Sequence, residues 1–161
     1  MAGFQPGLAA IVVSPWGRLG VYVRDSQVCG ITLLGGEVAE RAPNSRLAET
    51  AIRQLQCYFA DPAFPFSLPL ASPATGFQQR IRDALLEIPP GASMTYGQVA
   101  RRLETAPRAV GAACRANPLP VIVPCHRVTA ATGQGGYAGA TSGYMVAIKG
   151  WLLSHESVVH V

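Results

Sequence analysis

The sequence predicts a mixed α/β chain of α+β layout: a small antiparallel sheet with a helix in residues 1–74, then a mostly helical part carrying a helix-turn-helix in residues 75–161. Three observations lead there. Three β-rich runs separated by turn residues fill the first 34 positions. Four prolines in "DPAFPFSLPLASPA", Asp61 to Ala74, interrupt any regular helix there. Apolar residues recur at helical spacing on both sides of that interruption.

The elements follow in order. "LAAIVV" reads as a strand, "SPWG" as a turn, "RLGVYV" as an alternating strand, "RDSQ" as a second turn and "CGITLL" as a third strand, for which a meander is the economical topology. Apolar positions 47, 51, 52, 55, 58 and 59 make "RLAETAIRQLQCYF" an amphipathic helix lying across that sheet. Cys29 and Cys57 read as small buried hydrophobes. The proline-rich stretch, 61–74, should be an extended strap between two lobes, with the domain boundary in it. "TGFQQRIRDALLEI" returns to helical spacing through Phe77, Ile81 and Leu85 until "PPG" stops it.

"MTYGQVARRLETAPRAVGAACRANP" is the most organised local segment. Thr95 as N-cap and Gln98 three residues on match a capping box, and Val99 with Leu103 forms an inward pair, so a helix should begin at Tyr96. Pro107 suits the first turn of a second helix with Val110 and Cys114 inward, and Pro118 ends it at Asn117. Two short helices and a tight turn make a helix-turn-helix, although a plain helical hairpin has the same pattern. Ala109, Gly111, Ala112, Ala113 and Ala116 surround Arg108 and Arg115, so the backbone of the second helix can approach a partner closely. Few long polar side chains are present to read a major groove, which suits close docking in a narrower groove with Arg108 entering the duplex.

Composition bounds the rest. With 161 residues, 49% apolar, the chain can fill one ordinary core or two small ones. No apolar run approaches the ~20 residues of a membrane span, and "MAGFQPGLAAIVVSPW" lacks the basic region and cleavage site of a signal peptide. A soluble, unprocessed cytoplasmic protein is expected. The four cysteines show no C-x-x-C spacing and all three histidines lie in the last quarter, so neither disulfides, a metal nor any other cofactor is expected. Residues 1–75 balance five Arg against five acids, whereas residues 76–161 carry eight basic side chains against four acidic ones, which accounts for the net charge of +4. A basic C-terminal half fits nucleic acid and also fits an ordinary solvated face.

"NPLPVIVPCHRV" places a cysteine beside a histidine after an apolar run. Pro124 should hold "VIV" extended, as a buried strand or segment delivering Cys125 at its end. Only a thiolate attacks well and a free thiol with pKa ~8.5 is mostly protonated, so His126 is the natural activator. Adjacent residues in extended chain point opposite ways, so a bridging water or a local turn has to connect them. Glu156 is the only carboxylate side chain after Cys125 and the candidate to orient the imidazole. An inert buried cysteine is the bland alternative.

On these motifs the sequence resembles the O6-alkylguanine-DNA alkyltransferases, or methylated-DNA–protein-cysteine methyltransferases. "PCHRV" is similar to that family's active-site motif, "TYGQVA" to its first helix-turn-helix helix, "PRAVGAACRANPLPVIVPCHR" to its recognition helix and approach to the cysteine, and "KGWLLSHE" to its closing helix. The resemblance is strong from Phe77 onward and looser before it. It implies a ribonuclease-H-like N-terminal domain and a winged-helix-like C-terminal one. It also implies a monomer without cofactor that acts once on double-stranded DNA carrying O6-alkylguanine, with O4-alkylthymine as a further substrate. Cys125 would take the alkyl group, aided by His126 through a water and by Glu156 behind it, and Tyr96 would protonate the purine ring. Arg108 would enter from the minor groove and replace the flipped nucleotide. Thr95, Ala109 and Arg115 would complete the DNA-binding surface, and Asn117, Cys114, Tyr137, Ala138 and Lys149 the pocket and its supports. Two departures stand out: the loop from Gly133 to Tyr144 is a few residues longer than in members of the family, and Ala138 offers no hydroxyl where some members have serine. A lesion-recognition module lacking the cysteine is argued against by Cys125. A thiol hydrolase would leave the alanine-rich, Arg-bearing helix unexplained.

Overall fold

The computed structural model describes residues 7–133, 135–137 and 143–157, which divide into two compact units, 1–71 and 72–161. The division falls inside the proline-rich stretch.

In the first unit, β1 (Leu8–Ser14), β2 (Gly17–Arg24) and β3 (Gln27–Leu34) form an antiparallel meander. Each hairpin closes with two residues. Asp25 and Ser26 both take positive φ, 52° and 61°, which matches the right-handed twist of the paired strands. Ser45 caps α1 (Arg46–Ala60) by accepting from Ala48 N. The helix buries Ala51, Ile52, Leu55 and Tyr58, and it packs on all three strands, whose Leu19, Val21 and Val28 are fully buried. The strap is pinned rather than loose: the Gln54 amide bonds Ser67 through its backbone N–H and C=O, and Leu70 pairs with Val28.

The second unit is mostly helical. Thr75 caps α2 (Gly76–Leu86), which buries Ile81 and Leu85. Then come β4 (Met94–Thr95), α3 (Tyr96–Arg102) and α4 (Pro107–Arg115), with α3 packed on α4. The expected capping box is present: Gln98 N donates to Thr95 Oγ1 at 3.1 Å, and Thr95 N donates to Gln98 Oε1 at 2.8 Å. Arg80 closes the other end of α3 by donating to Leu103 O at 2.7 Å. A two-residue parallel pairing of β4 with β5 (Val128–Thr129) was not foreseeable from spacing. Helix α5 (Tyr144–Glu156) buries Ile148 and Leu152 and continues through Gly150. No helix among the described residues is long and apolar enough to cross a membrane.

Candidate active site

The segment from α4 to Cys125 is not the extended strand expected from Pro124. Asn117 Oδ1 accepts from Leu119 N, Asn117 Nδ2 donates to Val123 O at 3.0 Å, and Val123 N donates to Leu119 O, which rolls "LPVIV" into a tight buried turn. Val121 takes φ 76° there, a conformation costly for a β-branched side chain and held by near-complete burial. Pro124 restricts only the residue before it, and the Asn117 side chain overrides the rest of the extended preference. Beyond it, Cys125–Arg127 form a single 3-10 turn. The local turn therefore places the Cys125 and His126 side chains, which an extended chain would have pointed apart.

From that turn three side chains reach into the interior. His126 Nε2 lies 2.7 Å from Glu156 Oε2. Arg127 Nε donates to Glu156 Oε1 at 2.8 Å, its Nη2 to Oε2 at 3.0 Å, and its Nη1 to Ile88 O at 2.6 Å. His126 is 0% exposed and Glu156 1%. Burial alone would raise the Glu156 carboxyl, but the hydrogen bonds from His126 and Arg127 outweigh it and hold the pKa at about 2. Burial pushes the His126 pKa down, against the pull of Glu156, so the resting imidazole is neutral. An ionised carboxylate only accepts, so Nε2 carries the proton and Nδ1 presents its lone pair. Among the described residues Nδ1 has no hydrogen-bond partner.

Cys125 is 6% exposed. Burial raises its thiol pKa; a side-chain hydrogen bond with Asn117, the positive charge of Lys149 and its own backbone each pull it back in part. The resting group is thus a thiol that needs a base. Tyr96 starts α3 directly after β4, and the β4–β5 pairing holds that start beside the chain leaving Cys125. Burial, then the proximity of Cys114 and Cys125, raises the Tyr96 phenol, which stays protonated. Lys149 Nζ donates to Val128 O at 2.7 Å and Gly136 O at 2.9 Å and lies 5.8 Å from the centre of the Tyr96 ring. Its pKa is lowered by burial. Cys114, half-buried on α4, is pushed up to about 12 by burial and by Cys125. Tyr137 is buried, and Ala138 lies outside the described residues. Asn117 and Lys149 thus act on Cys125, Cys114 and Cys125 on Tyr96, and Glu156 on His126.

The remaining candidates belong to a surface. Arg108 and Arg115 are exposed, Ala109 and Thr95 half-exposed, and only Val110 of α4 is buried. Ala106, at the N-cap of α4, supplies no side-chain hydrogen bond; Pro107 brings no amide to the first turn, and Ala109 N donates to Ala106 O at 3.0 Å. Sequence reasoning assigned no role to Arg127. Its signal was an arginine inside an otherwise apolar buried segment, which demands a carboxylate partner, and Glu156 was the only downstream one. Among the described residues no group of His, Cys, Asp and Glu could hold a metal ion.

The family described as "6-O-methylguanine DNA methyltransferase, DNA binding domain" matches residues 76–158. The chain is similar to a methylated-DNA–protein-cysteine methyltransferase of Methanosarcina acetivorans, 42% identical over 70% of this chain and 71% of that one. It is also similar to the constitutive enzyme of that name from Bacillus subtilis, 43% identical over 74% and 71%. In structure it resembles the Mycobacterium tuberculosis O6-methylguanine methyltransferase, with TM-score 0.78, 32% identity and coverage of 94% and 93%. The same mycobacterial protein in complex with DNA gives TM-score 0.75 and 34% identity over 92% and 91%.

Proposed function

The chain belongs to the 6-O-methylguanine DNA methyltransferase family, and on that footing we propose that it repairs DNA by moving the O6-methyl group of guanine onto Cys125. The observation that carries the reading is the buried Glu156–His126 hydrogen bond behind a thiol that burial keeps protonated. A neutral imidazole whose Nδ1 lone pair is available can take the Cys125 proton, through one bridging water. The resulting imidazolium is compensated by the Glu156 carboxylate, itself held by the Arg127 fork. The thiolate attacks the methyl carbon in line; the S–C bond forms as the C–O6 bond breaks, and the electron pair goes to guanine. Tyr96, a phenol that stays protonated, gives its proton to the purine ring; the phenolate is then reprotonated from solvent while the His126 imidazolium releases the thiol's proton to solvent, so both groups return to their resting states and the charges balance. Lys149 and Asn117 favour the thiolate by charge and by hydrogen bond.

A buried thiol cannot reach a base inside the stack, so the nucleotide has to be flipped out. Arg108, exposed on a helix otherwise faced with small side chains, is the group that would enter from the minor groove and fill the vacated space. Thr95, Ala109 and Arg115 would meet the phosphate backbone, and Cys114, Tyr137 and Ala138 would border the alkyl pocket. The finer fold reading goes with it: a ribonuclease-H-like domain over 1–74, whose meander and helix suit it, and a winged-helix-like domain over 75–161. The protein would act as a monomer, once per chain, because a thioether has no ready leaving group, and O4-methylthymine presents a similar alkylated oxygen. Mixing the protein with excess duplex bearing one O6-methylguanine should remove one lesion per chain and then stop, with none removed by Cys125→Ala. Continued turnover, or repair by that variant, would overturn the reading.

A further inference from the structure

Cys114 and Cys125 are free thiols of the second unit, one half-buried in the last turn of α4 and the other in the 3-10 turn that follows. One residue ties them together. Asn117 N donates to Cys114 O at 3.2 Å, and Asn117 Nδ2 donates to Val123 O at 3.0 Å, the same oxygen that accepts from Cys125 N at 2.8 Å. Fully extended, the chain between the two cysteines would span about 35 Å. The Asn117 turn instead folds it back, so the end of α4 meets the start of the 3-10 turn. We propose that Cys114 and Cys125 are a redox pair, which a peroxide joins as a reversible disulfide.

The two sulfurs share their surroundings. The charge of Lys149 acts on both thiols, and both in turn act on the Tyr96 phenol. A disulfide asks for Cα atoms about 4.4–6.8 Å apart. Helix α4 buries only Val110, so its last turn is held lightly enough to meet that geometry. The step balances with the peroxide alone. Cys125, favoured as thiolate by Asn117 and Lys149, attacks one peroxide oxygen and becomes a sulfenic acid as the first water leaves. The Cys114 sulfur then attacks the Cys125 sulfur, and the hydroxyl departs with the Cys114 proton as the second water, so two thiols lose two electrons to one peroxide. Burial raises both thiols, so the reaction is slow and needs a sustained oxidant. Without a neighbouring thiol a sulfenic acid goes on to sulfinic and sulfonic acids, which small thiols do not reverse, whereas a disulfide is reopened by thiol exchange. For a chain that spends one acceptor thiol, which rests on the function proposed above, the pair keeps Cys125 recoverable; the bond itself does not depend on that function.

The test treats the reduced full chain with hydrogen peroxide, blocks the remaining thiols with N-ethylmaleimide in denaturant, and maps peptides by mass without reduction. Free thiols should fall from the four of the sequence to two, with one cross-linked pair of fragments carrying Cys114 and Cys125, and dithiothreitol should restore all four. In Cys114→Ser the same dose should leave Cys125 as sulfinic or sulfonic acid, a loss that dithiothreitol does not reverse. Overoxidised Cys125 beside a free Cys114 in the wild type, a disulfide through Cys29, Cys57 or a second chain, or four thiols remaining after a dose that oxidises the denatured chain would each overturn the proposal. So would full recovery of Cys125 in Cys114→Ser. Because the mass reads the bond directly, a chain that failed to accept methyl groups would still give a clear answer.

Discussion

Two regions of the second unit handle charge in opposite ways. Around Cys125, Arg127, Glu156, His126 and Lys149 lie buried in the interior, each in hydrogen bonds of 2.6–3.0 Å. On α4, Arg108 and Arg115 stand in solvent on a helix of small residues. Buried charges interact strongly and are costly to leave unpaired, so the interior has one arrangement and sets proton positions. Exposed charges are screened within a Debye length, so on the proposed function this surface would meet any duplex and set affinity instead. On the proposed function, chemistry and recognition would fall to two sets of residues that can be broken separately.

The largest effect should come from splitting the interior network. Arg127→Ala takes the guanidinium fork from the buried Glu156 carboxylate and should cost about 3–5 kcal/mol of stability. Chemical denaturation measures it; a loss under 1 kcal/mol would mean the fork contributes little. Next is acid. His126 has a folded pKa below its ordinary 6.5, and Glu156 one of about 2 below its ordinary 4.5. In both windows the unfolded chain binds protons that the folded chain does not, so stability falls as pH drops below about 6.5 and again between 4.5 and 2. Glu156→Gln should erase the lower window in a melting-temperature series, an effect on the order of 3 kcal/mol when fully expressed.

Changes on α4 should leave stability alone. Arg108→Ala should slow repair of duplex substrate by one to two orders of magnitude, on the order of 1–3 kcal/mol, while sparing reaction with free O6-methylguanine, since only the duplex needs its nucleotide replaced. Equal loss on both substrates would move Arg108 from recognition into chemistry. The smallest effect belongs to Arg115→Ala. It should lower the slope of log affinity against log salt by about 1, with no change in sequence preference. If wild-type affinity proved flat in salt, the contrast between surface and interior would fail.

How much of this was legible depended on the range of the forces involved. Ser45, Thr75 and Thr95 each cap a helix through an amide three residues on, and the T-x-x-Q capping box was visible in the letters. The meander was legible too, because turn residues and alternation are local signals. "VIV" was misread as extended because Val121 gives no hint of a left-handed φ; the turn is imposed by Asn117 bonding to Val123. The β4–β5 pairing is two residues long and joins segments over thirty apart, too short for any periodicity to reveal. At the site, Cys125, His126 and Glu156 could be named from chemistry and resemblance. The Arg127 fork was missed: an arginine in an apolar segment signalled the need for a carboxylate, but the contact closes across 29 residues and exists only once α5 is packed.

The sharpest discrimination lies between two thiols: Cys125, which Asn117 and Lys149 act on and His126 follows in the chain, and Cys114, pushed up to about 12 on the neighbouring helix. Peptide mass mapping after reaction with duplex O6-methylguanine should find a single methyl group, on the fragment carrying Cys125, with Cys114 unmodified. A methyl on Cys114, or one shared between the two, would contradict the assignment of Cys125 as the acceptor and of the Glu156–His126 pair as what activates it.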